Sequence, residues 1–585
     1  MFRKAIAFLS LALCVGTLYA DNQHPYDWKV SYDMQIVNPT RRLLKVDAKY
    51  TFPAKTGEVT FQLDDADNHY TKGYRKYIRT FSLLDSSGNA VTLTTESDGV
   101  YKVSGLKGVY SGVYHILLEH HKDQSDLGIE DTPLLWSSFA VFPGAAVAVY
   151  PSDEIGSHIG SIEVAFQLPP GAEFIAPYEQ IDRGKYRVES LDLLKSEFWA
   201  VGNMTVRVFT IGGDSLICGV GTSGLQFKAD DIWPKIELLL NYYTRSIGRL
   251  PAHRISMSIF GTPNSGETAG FNSFGAVGKR SFNCLLDEQV GTDKLGLQMG
   301  LIAYNLLSFW TPGYFRPATT GTLDWFTTAL LNYYQLKTML TLGFTDDSEY
   351  LSNLSKAYNT YVDALSRRGL AMNALLQLPN SNERSMYGFM LAATFDMLLV
   401  ANTSGERSLD DLMLSLYSSY GGREGYLENE LYGILRDLGL PEIQTLIDNH
   451  FKQAKPIDFS KALAPYGLSL DQMSGEGIDI GFRVKGGGDL SVEWVEPGGP
   501  AQLAGIVFGD QISEVRGFKA SKASDIPKVL TGLKPGDDVD ITVLRNGAKK
   551  SMSLKLSNLK YYLIRPMPNA SESARVLWAK YKTAH

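Results

Sequence analysis

The spacing of apolar residues changes once along this chain, near residue 228, and no other feature constrains the fold as much. Upstream, "WKVSYDMQIV", "LLKVDAKYTF", "EVTFQLDD", "HILLEHH" and "AAVAVYP" alternate apolar and polar residues, with "SSGN" as a hairpin turn. Period two puts one face of a strand into a core. Residues 21–205 are therefore expected to form an all-β domain, a sandwich. Downstream, "DDIWPKIELLLNYYTRSIG" carries apolar residues at helical spacing behind Asp230 and Asp231, which suit a helix start. One strand, "RISMSIFG", interrupts the pattern, and six further helical stretches follow as far as "ELYGILRDLG". Residues 228–465 read as an α+β domain made mostly of helices.

At 585 residues the chain is too long for one core and calls for about three or four domains. Ahead of the first strand, "MFRK" is basic, "AIAFLSLALCVG" is apolar and "TLYA" ends on a small residue. Residues 1–20 are thus expected to be a signal peptide cut after Ala20, with lipid attachment through Cys14 as the alternative. No other apolar run approaches the ~20 residues that span a bilayer, so the chain is expected in the periplasm or secreted. Without Arg3 and Lys4 the formal charge moves from −7 to −9, which disfavours nucleic acid and anionic membranes as partners. Cys218 and Cys284 then remain, either paired or as two buried thiols.

The third pattern covers residues 473–557. "GGPAQLAGIVFGDQISEVRG", Gly498 to Gly517, runs from a Pro-Ala-x-x-Ala-Gly helix start through the Gly509-Asp510 turn into a strand, and "KPGDDVDITVLRNG" supplies two more strands. This stretch resembles a PDZ domain of the bacterial periplasmic kind. Such a domain adds an extended peptide beside its own strand and receives the terminal carboxylate on loop amides. By resemblance the loop is Ile480, Gly481 and Phe482, and the helix at about 525–533 is the opposite wall. The expected partner is a protein or peptide C-terminus; the alternative is a PDZ domain that only packs on its neighbour. Residues 558–585 read as a C-terminal tail.

"AYNLLSFWTPGYFRP", Ala303 to Pro317, "LDWFTTALLNYY", Leu323 to Tyr334, and "YGFMLAATFDMLL", with Gly388 and Asp396, resemble the glycyl aminopeptidase family of zinc metallopeptidases. That family joins a β domain, a thermolysin-like domain and a PDZ domain. The resemblance implies a zinc helix reading H-E-x-x-H-x-W-N, in register with Trp310, Arg316 and Pro317, and a third ligand on the following helix. The two histidines then fall on Tyr304 and Ser308, the general base on Asn305 and the third ligand on Thr328. A phenol, an amide and two hydroxyls are poor replacements for these ligands and this base. The nine histidines leave a gap from His253 to His450, so none lies on these helices, and the adjacent pair His120 and His121 reads as solvated. Asn272 replaces the glutamate expected in the loop that would recognise a substrate amino terminus, and Tyr387 stands in the place of a lysine, with Ser385 where the oxyanion-steadying tyrosine falls. No G-x-S-x-G elbow is present, and "KGGGDL" at Lys485 reads as a turn.

From these positions the chain is expected not to be an enzyme and to need no cofactor or metal. It would be an exported homologue of such peptidases, binding a partner through its PDZ domain and through the altered cleft. Two alternatives stand beside this: an active metalloaminopeptidase with unusual ligands such as Glu267 or Asp324, and a structural subunit of an envelope assembly. The stripe Trp310, Tyr314, Phe315, Trp325, Phe326, Tyr333 and Tyr334 reads as core, or else as the lining of a peptide cleft.

Overall fold

The computed structural model describes residues 27–583, apart from 40, 64–73, 98, 119–132, 137, 153–158, 263–273, 288–290, 293–294, 320–322, 369–380, 453–456, 486–489 and 497. The expected signal peptide and His120–His121 pair lie outside these residues, as do Glu267 and Asn272. Two compact units make up the chain, Met1–Met204 and Thr205–His585.

The first unit is β-rich. Trp28–Asn38 pairs antiparallel with Leu43–Phe52 and parallel with Ile159–Phe166 inside a seven-stranded sheet, and a four-stranded sheet is built on Glu58–Gln62. Alternate residues Val30, Tyr32 and Met34 point into a core that Val59 and Phe61 enter from the other sheet. "AAVAVYP" departs from its expected strand. Its start is a 3₁₀ turn, Gly144–Ala146, and only Tyr150–Ser152 at its end pairs as a strand. The reason lies in the core. Tyr32 and Tyr50 donate their hydroxyls to the carbonyl of Val149 at 2.9 and 2.7 Å, and Tyr114 donates to Val147 at 3.0 Å. Buried backbone must find partners, and here three tyrosines supply what a neighbouring strand would. Gly144 sits so tightly that a Cβ there would come within 1.9 Å of the Leu194 carbonyl.

In the second unit Asp214–Gly221, Arg254–Thr262 and Ser281–Asp287 run parallel, with Phe274–Val277 antiparallel at the edge. Helices follow at Ala229–Ser246, Leu295–Leu307, Asp324–Thr341, Asp347–Arg368, Ser381–Asn402, Leu409–Tyr420 and Glu428–Leu438. The start of Leu409–Tyr420 is written in "SLDD": the Ser408 hydroxyl accepts from Asp410 N–H, and the Asp411 carboxylate accepts from Ser408 N–H. Cys218 and Cys284 are buried free thiols. Among the described residues no helix is long and apolar enough to cross a membrane.

The PDZ domain is framed by a pair of long strands, Leu468–Asp479 antiparallel to Ser557–Pro566. The end of the chain therefore forms a strand and a helix, Glu572–Lys582, where a tail was expected. The helix Asp347–Arg368 is fastened to this frame. The Asn359 side chain donates to the Tyr562 carbonyl and accepts from its N–H, both at 2.7 Å, and Ser355 accepts from Ile564 N–H at 2.9 Å. One amide side chain thus completes an edge strand on which the domain is mounted.

Candidate functional site

Three of the four altered positions ride on or just beyond Leu295–Leu307. Asn305 is buried, and its amide nitrogen donates to the Leu301 carbonyl at 2.9 Å while facing the Cys284 sulfur at 3.9 Å. The Ser308 hydroxyl donates to the Asn305 carbonyl at 2.5 Å. Tyr304 is half-buried against the core, and Thr328 is exposed on the next helix. Trp310 is fully buried, its indole N–H shared between the carbonyls of Gly248 and Arg249 at 3.2 and 3.0 Å. Phe315, Phe326, Tyr333 and Tyr334 are likewise core, and Tyr314 is half-buried. The side chains of Asp324, Trp325, Ser385 and Tyr387 lie outside the described residues.

These residues do not fit zinc. The polar groups on Asn305 and Ser308 are committed to their own helix backbone, and none is a group that binds zinc well. Among the described residues no cluster of three His, Cys, Asp or Glu could hold a metal ion.

Deeper in the helices lies a polar cluster that periodicity alone does not reveal. Asp396 accepts from the Tyr333 hydroxyl at 2.5 Å, from the Lys337 ammonium at 3.0 Å and from Leu409 N–H at 2.9 Å. Tyr581 of the C-terminal helix shares hydroxyl bonds with Tyr333 at 2.5 Å and Tyr350 at 2.6 Å, and Lys337 lies over its ring. Beside them Asp410 accepts from Tyr334 at 2.5 Å and from Tyr242 at 3.2 Å. Burial pushes the Lys337 ammonium below its usual value despite Asp396, and raises the Asp410 carboxyl despite its tyrosine donors. The cluster is closed and satisfied, and it anchors the C-terminal helix.

The open site is in the PDZ domain. The strand Phe482–Val484 pairs with Val492–Val495 on one side, and among the described residues its other edge has no strand partner. That edge opens on a groove of about 950 Å³. Ile526 and Leu530, in and just beyond the helix Asp525–Val529, form the opposite wall, and Val362 and Asp363 lie at the margin. Arg483 pairs with Asp363 and reaches over the Trp494 ring. Gly481 is buried at φ +70°, and a Cβ would approach Pro500 and Ala501 to 2.9–3.0 Å, so only glycine fits this turn. Its N–H donates to the Asp479 carboxylate at 2.8 Å, and its carbonyl accepts from Glu496 N–H at 2.8 Å. Ile480 and Phe482 line the groove, with Gly481 between them in the chain. Sequence reasoning missed Asp363, Asp479 and Glu496; "GIDIG" carries the Asp two residues before the glycine, which is the spacing of a side-chain-closed turn.

Two kinds of protein share these features. Residues 477–556 match the PDZ domain family, and the chain as a whole has the fold of an aminopeptidase. It superposes on an aminopeptidase N family protein from Idiomarina loihiensis with a TM-score of 0.69 at 14% identity, over 94% of this chain and 99% of that one. In sequence, it is 30% identical over 92 residues to a "probable periplasmic serine endoprotease DegP-like" of Halomonas elongata, covering 16% of this chain and 19% of the relative. It is 35% identical over 123 residues to a "serine protease Do-like HtrA" of Lactobacillus helveticus, covering 20% and 28%. The match therefore spans only about a fifth to a quarter of the length of these relatives.

One expectation is corrected by these likenesses. Taken alone, Tyr304, Asn305, Ser308 and Thr328 point to a non-enzyme. The solved structure that it superposes on over nearly its whole length is an aminopeptidase N family protein, and the sequence relatives of part of the chain are named as proteases. Its likenesses are to peptidases, and the non-enzyme reading does not stand. Four substitutions speak for one metal site and not for the class of the whole chain.

Proposed function

We propose that this chain is a peptidase-related protein that captures an extended peptide in its PDZ groove, acting outside the cytoplasm. The observation that carries this is the edge of Phe482–Val484, without a strand partner among the described residues, facing a groove whose opposite wall carries Ile526 and Leu530. A peptide strand added to that edge gains main-chain hydrogen bonds while alternate side chains enter the groove, and a terminal carboxylate meets the amides of Ile480, Gly481 and Phe482. The test is fluorescence anisotropy of labelled C-terminal peptides with the full chain. Micromolar binding that Gly481→Val abolishes supports the reading, and binding that survives the substitution sinks it. Location outside the cytoplasm rests on the leader-like residues 1–20 and on a relative of part of the chain that is named as periplasmic. Amino-terminal sequencing of protein from fractionated cells checks it, since a chain retaining Met1 in the cytoplasm contradicts it.

A second reading, peptide hydrolysis, is favoured by the shared fold. It is tested by metal content and by aminoacyl-anilide turnover after incubation with zinc and desalting. Near-stoichiometric metal with turnover supports it, and a metal-free, inert protein rejects it.

A further inference from the structure

The groove is lined by more carboxylates than cations. Asp363, Glu476, Asp479, Glu493 and Glu496 line it against Arg483 and Lys560. Both cations are already engaged: Arg483 pairs with Asp363, and Lys560 reaches Glu496 at 3.0 Å. The Lys560 ammonium is held above its usual value chiefly by the Glu496 hydrogen bond, with Asp479 contributing. The second carboxylate oxygen of Glu496 is buried with no hydrogen-bond partner, so the one lysine beside it leaves that carboxylate incompletely satisfied. Glu476 and Glu493 add further negative charge to the walls. At the carboxylate end, Asp479 already places a negative oxygen on Gly481 N–H at 2.8 Å. An incoming terminal carboxylate meets like charge at the point where a loop of bare amides would be most receptive.

Resting on the peptide-binding reading above, we propose that the groove selects a cationic peptide. Lys or Arg side chains preceding the terminal residue meet Glu476 and Glu493, and Asp479 weakens the contribution of the free carboxylate. Asp479 is a specificity-determining residue in this arrangement: it closes the loop from within and shifts recognition from the peptide's end to its side chains. The expected ligand is an extended basic segment with an apolar last residue that fits between the strand and Ile526.

The experiment uses the full chain and four labelled peptides sharing one apolar C-terminal residue. They carry either Lys or Glu at the preceding positions, each with a free or an amidated terminus. The Lys peptides are expected to bind about tenfold more tightly than the Glu peptides at low salt, with the gap closing as salt rises. Glu476→Gln and Glu493→Gln, whose folding is checked by their thermal transitions, narrow that gap. Asp479→Asn keeps an oxygen for Gly481 N–H and removes its charge, and it raises the free-acid over amide ratio several-fold. Equal binding of Lys and Glu peptides, or tighter Glu binding, overturns the charge selection and leaves the groove reading standing. An unchanged free-acid ratio in Asp479→Asn overturns the role of Asp479. No binding by any of the four overturns both the inference and the reading on which it rests.

Discussion

Asn305 and Gly481 both stand where a family resemblance places function, yet their surroundings differ in kind. Asn305 lies inside a helix with its amide turned back on the Leu301 carbonyl, and its neighbour Ser308 closes on the Asn305 carbonyl. Gly481 lies between Ile480 and Phe482, which line a groove beside a strand edge that has no strand partner among the described residues. A polar group that completes its hydrogen bonds within its own element stabilises packing, whereas an edge with open donors and acceptors offers binding to another chain. The Asp396 cluster is the extreme of the first kind, with an acid, a lysine and three tyrosines closed on each other. In the PDZ domain the same device recurs on a small scale, where Asp510 and Arg545 pair.

The largest effect expected from breaking this comparison is at Asp396. Asp396→Ala leaves the Lys337 charge, the Tyr333 hydroxyl and Leu409 N–H without their common acceptor. Removing one partner of a buried ion pair costs about 3–5 kcal/mol, read as a lower denaturant midpoint. The peptide affinity of the groove should be unchanged in the molecules that remain folded. A loss near zero would mean that the helical core tolerates an uncompensated lysine, and the distinction between closed and open polar groups would lose its energetic basis.

Asp510→Asn comes next. The Arg545 guanidinium donates to both oxygens of Asp510, at 2.6 and 2.7 Å, and Val507 N–H adds a third bond at 3.0 Å. Burial raises this carboxyl, but the Arg545 and Val507 bonds outweigh it and hold the acid below the usual carboxylate range. A folded-state value below the unfolded one gives stability that is complete above the unfolded value, about pH 4, and is lost as pH falls through the folded value. Charge-assisted bonds of this kind contribute about 2 kcal/mol. The variant should be destabilised by that amount at pH 7 and should show a flatter acid limb in a midpoint-against-pH series. An unchanged acid limb would show that Asp510 does not drive it.

Tyr581→Phe is expected to cost less, about 1–2 kcal/mol, because the ring stays packed while its hydroxyl leaves Tyr333 and Tyr350. Truncation before Glu572 should cost more than this single change, which separates the hydroxyl network from the burial of the whole helix.

Much of this fold could be read from the chain, and the parts that could not share a cause. The change of period at residue 228, the "SLDD" helix start and the Gly509-Asp510 turn are local signals, and each appears as an element boundary in the structure. "AAVAVYP" misled because its backbone partners are the hydroxyls of Tyr32, Tyr50 and Tyr114, up to 117 residues away in sequence. Lys337, Asp396, Asp410 and Tyr581 look unremarkable in their own stretches, and only tertiary packing gathers them. The loop residues Ile480, Gly481 and Phe482 come from the PDZ resemblance, and the structure adds the positive φ of Gly481. The acidic walls were not legible, since Asp363 and Glu493 come from segments far apart in the chain. The non-enzyme reading failed differently, by letting one motif speak for a fold shared along nearly the whole chain.

The smallest effect, and the one that sharpens the comparison most, is expected at Asn305. Asn305→Ala removes the side-chain bond to the Leu301 carbonyl, but that carbonyl sits in a helix, and alanine is the better helix former by several tenths of a kcal/mol. The two terms oppose each other, so the net change should be under about 1 kcal/mol of either sign. The buried Cys284 and Leu306 and the partly buried Leu301 keep their packing, and the peptide affinity of the groove should not move. If Asn305 instead serves as more than a packing residue, Asn305→Ala will alter metal uptake or peptide turnover while leaving the unfolding midpoint in place. A stability change without a functional one keeps Asn305 with the closed polar groups of the core. A functional change without loss of stability moves it to the open side of the comparison, beside Gly481.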